Sequence, residues 1–429
     1  MDLSYWVETL GCSKNKVDSE KLEGRLVSQG FVSAGDAENA DLVVVNTCAF
    51  IEAARMESIE TVLDFVAIKK PGARIVITGC MAERYGEELA KELPEVDLVA
   101  RFGQELSEFQ SGPLQSVPVA VSAKPRKPQG VRDFDLLNLR RPAVKGSWAY
   151  LKIAEGCDRA CGFCAIPSFR GKQQSRSIES IVEEAKGLGT REVVLIAQDL
   201  ASYGTDIYGK KYLADLIKEL SKYIDWVRIL YIYPSELTDA LIETVLATGV
   251  AYFDLSLQHS SRRLLRKMRR WGSGERFLEK IGKIRSIEPN AAFRSSFIIG
   301  YPGETEEDHD NLLQFIEDAQ LDWAGFFTFS DEEGTYANTL EGKVDPFLVM
   351  ERLAEVSELQ DSVTQKKRVQ LIGGVVKALV DEPGVARSFR EAPEIDGIIK
   401  LDDKIPAGKF VDLVICGSEG PDLFGELAG

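Results

Sequence analysis

Seven cysteines and two histidines are the chain's whole stock of thiol and imidazole ligands. Three of the cysteines form a C-x3-C-x2-C run, Cys157-Asp-Arg-Ala-Cys161-Gly-Phe-Cys164. Thiolates spaced this closely can wrap three corners of a cubane iron–sulfur cluster, whereas tetrahedral zinc wants a fourth ligand that no nearby His or Cys supplies. A zinc knuckle is the competing reading of the same triplet. A cluster held by three Cys leaves one iron open. That iron can chelate the amino and carboxylate groups of S-adenosylmethionine and pass one electron to its sulfonium. Cys12, Cys48 and Cys80 each follow an apolar, strand-like run, 5–10, 42–45 and 74–77. The carboxyl ends of parallel strands are where open α/β sheets bind ligands, so this trio can converge as a second metal site. Taken alone, its members read equally well as three buried small hydrophobes. Cys416, in an apolar strand, reads as a buried residue with no chemistry.

Two imidazoles, His259 and His309, are too few for multi-histidine zinc sites and leave little room for catalytic triads. His259 follows a strand-end Gln and reads as a substrate-orienting or a structural residue. His309, in the acidic stretch 304–310, reads as a solvated helix start. The weaker candidates belong to the second half of the chain. Phe163, inside the cysteine loop, is placed to lean its backbone on the cofactor's adenine, or simply to pack the loop. Gln198, Gln258 and Ser296 fall at or near strand ends, where inward polar side chains face ligands or are satisfied core groups. Gly300 ends the strand 297–300 in a tight turn that lets a cofactor approach the backbone. No catalytic residue is assigned beyond the cluster ligands.

The 429 residues imply about three domains. With 44% hydrophobic and 28% charged residues, the chain is globular rather than disordered. A formal charge of −16 repels phosphate backbones and disfavours a generic nucleic-acid binder. The N-terminus MDLSYWVETLGC has no basic n-region or apolar h-region, and no stretch approaches the roughly 18 apolar residues of a membrane span. The expectation is a cytoplasmic protein with no membrane partner and reduced thiols.

Strand-like runs alternating with amphipathic stretches such as 18–29 and 51–66 predict an α/β fold with an N-terminal parallel domain over 1–112. A Pro- and Lys/Arg-containing linker follows over 113–142. Alternation resumes over 143–365 with six strands, AYLKIAE, EVVLIAQD, WVRILYI, YFDLSLQ, AFRSSFIIG and DWAGFFTFS, two units short of a closed barrel. The expectation is a laterally open (β/α)6 partial TIM barrel. After a long charged helix, 366–429 turns to short β-like runs, GGVVKALV, GVARSF, DGIIKL and FVDLVIC, that predict a small all-β barrel. That segment carries nine Lys+Arg against eleven Asp+Glu, a poor grip for transfer RNA. The densest basic cluster, Arg262-Arg263 to Arg269-Arg270, reads as an RNA contact or as a solvated helix face.

Across its whole length the chain resembles the radical S-adenosylmethionine methylthiotransferase family. The motifs are LGCSKN at Leu10, NTCAFIEAARMESIE at Asn46, CAIPSFRG at Cys164, AQDLASYGTDIYG at Ala197, LQHSS at Leu257, SDEEGT at Ser330 and EAPEIDG at Glu391. They look like the RimO type, the branch that modifies a ribosomal protein rather than transfer RNA. The resemblance implies two [4Fe–4S] clusters and S-adenosyl-L-methionine as cofactors. Cys157, Cys161 and Cys164 would hold the radical-generating cluster, and Cys12, Cys48 and Cys80 a second that carries the sulfur. The C-terminal barrel would be similar to a TRAM domain. The implied reaction adds a methylthio group to the β-carbon of an aspartate in small-subunit ribosomal protein twelve, alone or in its ribosomal subunit. An electron donor protein would be a further partner, and no transfer RNA is expected. A tRNA-adenosine methylthiotransferase and a non-catalytic, metal-stabilised ribosome-binding factor are the alternatives.

Overall fold

The computed structural model describes residues 3–104, 135–139, 141–402 and 404–428. The chain divides into two compact units. One comprises Met1–Pro142, Glu155–Arg159 and Ala165–Arg176, the other Ala143–Ala154, Ala160–Cys164 and Ser177–Gly429.

Five parallel strands carry the first unit: β1 (Ser4–Thr9), β2 (Val32–Ser33), β3 (Leu42–Thr47), β4 (Arg74–Gly79) and β5 (Leu98–Val99), in the order β2-β1-β3-β4-β5. Central β3 reads Leu-Val-Val-Val-Asn-Thr and is buried throughout, as the near-continuous apolar run of a sheet covered on both faces requires. Helices α1 (Ser13–Ser28), α2 (Glu52–Ile68) and α3 (Cys80–Glu92) follow β1, β3 and β4. Val43, Val45, Ile75 and Ile77 pack on one face with Val62, Met81 and Leu89, while Val44 and Val76 pack on the other with Leu22 and Leu26. Most of the segment read as a linker lies outside the described residues. Its far end is packed: Leu136 and Leu137 are buried, and Lys21 Nζ donates to the Leu137 carbonyl at 2.5 Å.

The second unit has six parallel barrel strands: β6 (Trp148–Lys152), β7 (Glu192–Ile196), β8 (Trp226–Ile229), β9 (Tyr252–Gln258), β10 (Ala292–Ile299) and β11 (Trp323–Thr328). They form two three-stranded sheets, β8-β7-β6 and β9-β10-β11, joined by a parallel bridge between Ile232 and Leu255. Among the described residues β6 and β11 do not pair, so the barrel stays open, as the count of six units implies. Side-chain caps start its helices where polar residues precede apolar runs: Ser177, Thr238 and Ser261 each accept from the N3 amide, and Thr305 with Asp308 forms a capping box.

Strands β12 (Val375–Glu382), β13 (Val385–Ser388), β14 (Ile399–Lys400), β15 (Phe410–Glu419) and β16 (Asp422–Leu427) close a small barrel in the order β12-β13-β14-β16-β15. Sequence reading missed β16. Asp422, Gly425 and Glu426 look like a loop, yet the turn at 420–421 folds it back on β15. Cys416 is exposed, not buried. Side chains alternate along a strand, and on β15 the inward positions fall to Leu413 and Ile415.

A buried ionic network joins this barrel to the larger one within the unit. Glu192 on β7 pairs with Arg228 at 2.7 Å and with Arg387 at 2.9 Å, all three side chains being at most 2% exposed. Asp381 holds Arg387 from β12, and Tyr252 donates to Asp396 at 2.6 Å. The EAPEIDG segment is thus a clasp, since Glu391 meets Arg368 and Asp396 meets Arg294. Among the described residues no helix is long and apolar enough to cross a membrane.

Candidate functional site

Cys12 is the N-cap of α1, Cys48 follows β3 directly, and Cys80 opens α3. Neighbouring strands β1, β3 and β4 therefore deliver one thiol each to the carboxyl end of the sheet. The approach is close: a Cβ on Gly11 would lie 2.8 Å from Cys48 Sγ. Burial pushes the Cys48 thiol up to about 11, and Cys80 and Cys12 push in the same direction. Cys80 is also raised by burial, with Arg170 pulling the other way. Thiols that oppose one another's ionisation are a donor set suited to a bound metal, whose charge deprotonates its ligands. No three Cys, His, Asp or Glu among the described residues are arranged around a single ion. A cubane asks for a different arrangement, one thiolate on each of three irons.

In the C-x3-C-x2-C loop, Cys157 belongs to the first unit and Cys161 and Cys164 to the second. Cys157 N donates to Gly171 O at 3.0 Å, and Arg159 N donates to Cys157 Sγ at 3.4 Å. In the second unit Gly162 N donates to Met268 O at 2.8 Å, and Ala337 N donates to Gly162 O at 2.7 Å. Arg270 donates to Cys161 Sγ at 3.5 Å and to Ser256 O, with its guanidinium 4.1 Å from the Tyr233 ring centroid. Sulfurs that receive N–H donors are what iron–sulfur ligation favours. The donor set fits the cluster.

A glycine at positive φ precedes three of these six cysteines: Gly11 at +91°, Gly79 at +95° and Gly156 at +78°. A Cβ on Gly79 would stand 2.5 Å from Thr47 O, and one on Gly156 would stand 2.2 Å from Lys172 O. The repeated Gly-Cys pair was visible in the sequence, and it is the signal that marks a strand-end turn delivering a thiol. Gly156→Ala is expected to cost more than the about 1–3 kcal/mol of left-handed strain alone and to lower the melting temperature. Gly189→Ala, also left-handed but with no neighbour within 4 Å, should cost only about 1–2 kcal/mol. Equal losses at the two positions would count against the crowding argument.

The remaining candidates all lie in the second unit. Phe163 is half-buried against the main core. Gln198 stands two residues beyond β7, half-buried. Gln258 ends β9 at a φ of +70°, a conformation that costs a non-glycine about 1–3 kcal/mol and concentrates at functional sites. Ser296 lies inside β10, one residue before the pairing of Phe297 with Gln258. Gly300 answers a packing need: a Cβ there would meet Val349 at 2.5 Å, and its N–H donates to Glu304 at 2.7 Å. His309 is buried rather than solvated and contacts Glu355 at 2.8 Å through Nε2. His259 is fully buried, accepts from Ser261 N at Nδ1, and is pushed down to about 4 chiefly by burial. The basic cluster divides. Arg270 serves Cys161, Arg269 lies over the Tyr336 ring, Arg263 pairs with Asp308, and Arg262 and Arg266 are exposed. Sequence reading gave no role to Arg170, Asn15 or Glu155, and read Arg270 only as part of the basic cluster.

Residues 4–101 match the model of Uncharacterized protein family UPF0004, residues 151–316 the Radical SAM superfamily, and residues 372–428 the TRAM domain. The ribosomal protein uS12 methylthiotransferase RimO of Thermotoga maritima is 39% identical over 436 residues, covering 98% of this chain and 99% of the relative. The protein of the same name from Cutibacterium acnes is 40% identical over 461 residues, covering 97% and 96%. Among solved structures, the cobalamin-dependent S-adenosylmethionine radical enzyme OxsB aligns at 12% identity and a TM-score of 0.44, covering 84% of this chain and 56% of that one.

Proposed function

Since the chain belongs to the radical S-adenosylmethionine methylthiotransferases of the RimO type, we propose that it places a methylthio group on the β-carbon of an aspartate in ribosomal protein uS12, using two [4Fe–4S] clusters. One observation carries the two-cluster reading: three thiols follow the carboxyl ends of the neighbouring strands β1, β3 and β4 in a chain that also bears the complete Cys157, Cys161, Cys164 triplet. A radical enzyme with a single cluster would need only the triplet.

Bound, the cluster on the triplet supplies the electron for reductive cleavage of S-adenosylmethionine, and the cluster on Cys12, Cys48 and Cys80 supplies the sulfur. The chain's own residues hold and orient. Gly156 turns the backbone into Cys157, Arg270 donates to Cys161, and Gln258 is held in a strained backbone at a barrel strand end. Gln198, Gln258 and Ser296 are the side chains assigned to the cofactor, with the backbone at Phe163 against its adenine and Gly300 shaping the turn beside them. The β-methylene of an aspartate has no acidic proton at neutral pH, so radical hydrogen abstraction, not a base, has to open that carbon. An electron-donor protein and a cytoplasmic ribosomal substrate complete the reading.

Deleting the gene should remove an increment of roughly 46 Da, hydrogen replaced by methylthio, from uS12 and leave tRNA nucleosides unchanged, as read by mass spectrometry of both. Retention of the increment on uS12, or loss of methylthioadenosine instead, would overturn the assignment.

A further inference from the structure

Arg170 closes α4 (Ile166–Arg170), the short helix after the triplet. Its side chain is 2% exposed, and its guanidinium is fully engaged within the first unit. Nη2 donates to Cys80 Sγ at 2.9 Å and to Asn15 Oδ1 at 2.8 Å. Nη1 donates to Glu155 Oε2 at 3.1 Å and to Asp18 Oδ2 at 3.2 Å. The plane lies 4.0 Å from the Phe102 ring centroid. The carbonyl of the next residue, Gly171, accepts from Cys157 N at 3.0 Å. One dipeptide thus grips a cysteine of each trio, by side chain on one and by backbone on the other.

Burying an arginine with two carboxylates is a poor route to stability, since desolvation offsets most of the attraction. Two carboxylates already exceed the one cation, so the extra donor on Cys80 is not needed to neutralise it. What the arrangement adds is a charge-assisted donor on a sulfur. Donors and net charge at the ligand sulfurs are among the factors that set an iron–sulfur potential.

We propose that Arg170 is a positioning residue that orients Cys80 toward the N-terminal cluster and sets that cluster's reduction potential, with Glu155 as the opposing charge. Its donor and positive charge favour the electron-richer state and raise the potential, while Glu155 lowers it. The Gly171–Cys157 bond makes the same segment the mechanical tie between the two ligand sets. The inference rests on the two-cluster reading above.

The test uses the full chain carrying Cys157→Ala, Cys161→Ala and Cys164→Ala, so that only the N-terminal cluster is present, and follows reductive titration by electron paramagnetic resonance together with iron content. Arg170→Gln is expected to move the midpoint to more negative potential, and Glu155→Gln to more positive. A merely structural role would move neither midpoint, or both in one direction, and either result overturns the proposal. Should Arg170→Gln lose its iron, Glu155→Gln decides: retained iron with a positive shift supports the role, and an unshifted midpoint defeats it. Loss of iron from both variants also defeats it, because Glu155→Gln leaves the Arg170–Cys80 contact in place. Absence of iron from the parent would defeat the two-cluster reading instead, so the two failures are distinct.

Discussion

Alanine at Cys12, Cys48 and Cys80 together should yield a protein that still cleaves S-adenosylmethionine reductively to 5′-deoxyadenosine but transfers no methylthio group. Alanine at Cys157, Cys161 and Cys164 should abolish both. The asymmetry follows from where each trio is anchored. The triplet loop is fixed by Gly171, Met268 and Ala337, while the other thiols hang from β1, β3 and β4, so emptying the N-terminal trio leaves the loop's own anchors in place. Reconstituted anaerobically, the parent should bind about eight irons and each triple variant about four. Iron assay and chromatographic detection of 5′-deoxyadenosine check the claim. Methylthio transfer by the first variant, or removal of all iron by the second, would defeat the division of labour.

Glu192→Ala should be the most damaging single change outside the metal sites, at about 3–5 kcal/mol, because it leaves two buried guanidinium groups facing each other without their shared carboxylate. Urea unfolding followed by tryptophan fluorescence reads the loss. Glu219→Gln, which breaks the exposed pair with Lys222, should leave the unfolding midpoint unchanged and serves as the control. Burial pushes the Glu192 carboxyl up, yet Arg228 and Arg387 outweigh it and hold it below the ordinary glutamate range. A carboxyl depressed in this way contributes stability that is present above about pH 4.3 and is lost as the pH falls through its lower folded value. The gap between parent and Glu192→Ala should therefore narrow in acid and stay constant near neutrality. The same network limits truncation. Removing the C-terminal barrel would strip Glu192 of Arg387 and Arg368 of Glu391, so the part that barrel plays has to be probed with substitutions on its exposed face.

Much of this was legible because periodicity and ligand spacing are local properties. The run Leu-Val-Val-Val announces a doubly covered parallel strand, and the spacing of Cys157, Cys161 and Cys164 announces a set of thiol donors, without knowledge of any distant contact. What was not legible depends on partners remote in sequence. His309 sits in an acidic run and looks solvated until the helix Pro346–Val369 brings Glu355 to it. That Val349 fills the space a Cβ on Gly300 would need is likewise invisible until the same helix packs there. Cys416 was misjudged for a different reason: an apolar strand has two faces, and composition alone does not say which residues alternate outward. Arg170 lies in the CAIPSFRG motif, yet nothing local marks it, because its partners Cys80 and Asp18 are 90 and 152 residues away.

That separation has a consequence for the order in which the protein is made. The first unit is discontinuous, completed by Glu155–Arg159 and Ala165–Arg176. At a synthesis rate of roughly 5–20 residues per second, the 90 residues from Cys80 to Arg170 take roughly 5–18 s to appear. Throughout that interval Cys80 and Asn15 have no guanidinium beside them, and Asp18 waits without its cation. The N-terminal sheet therefore reaches its final hydrogen bonding only after the chain has been made through Arg170, the last partner it recruits.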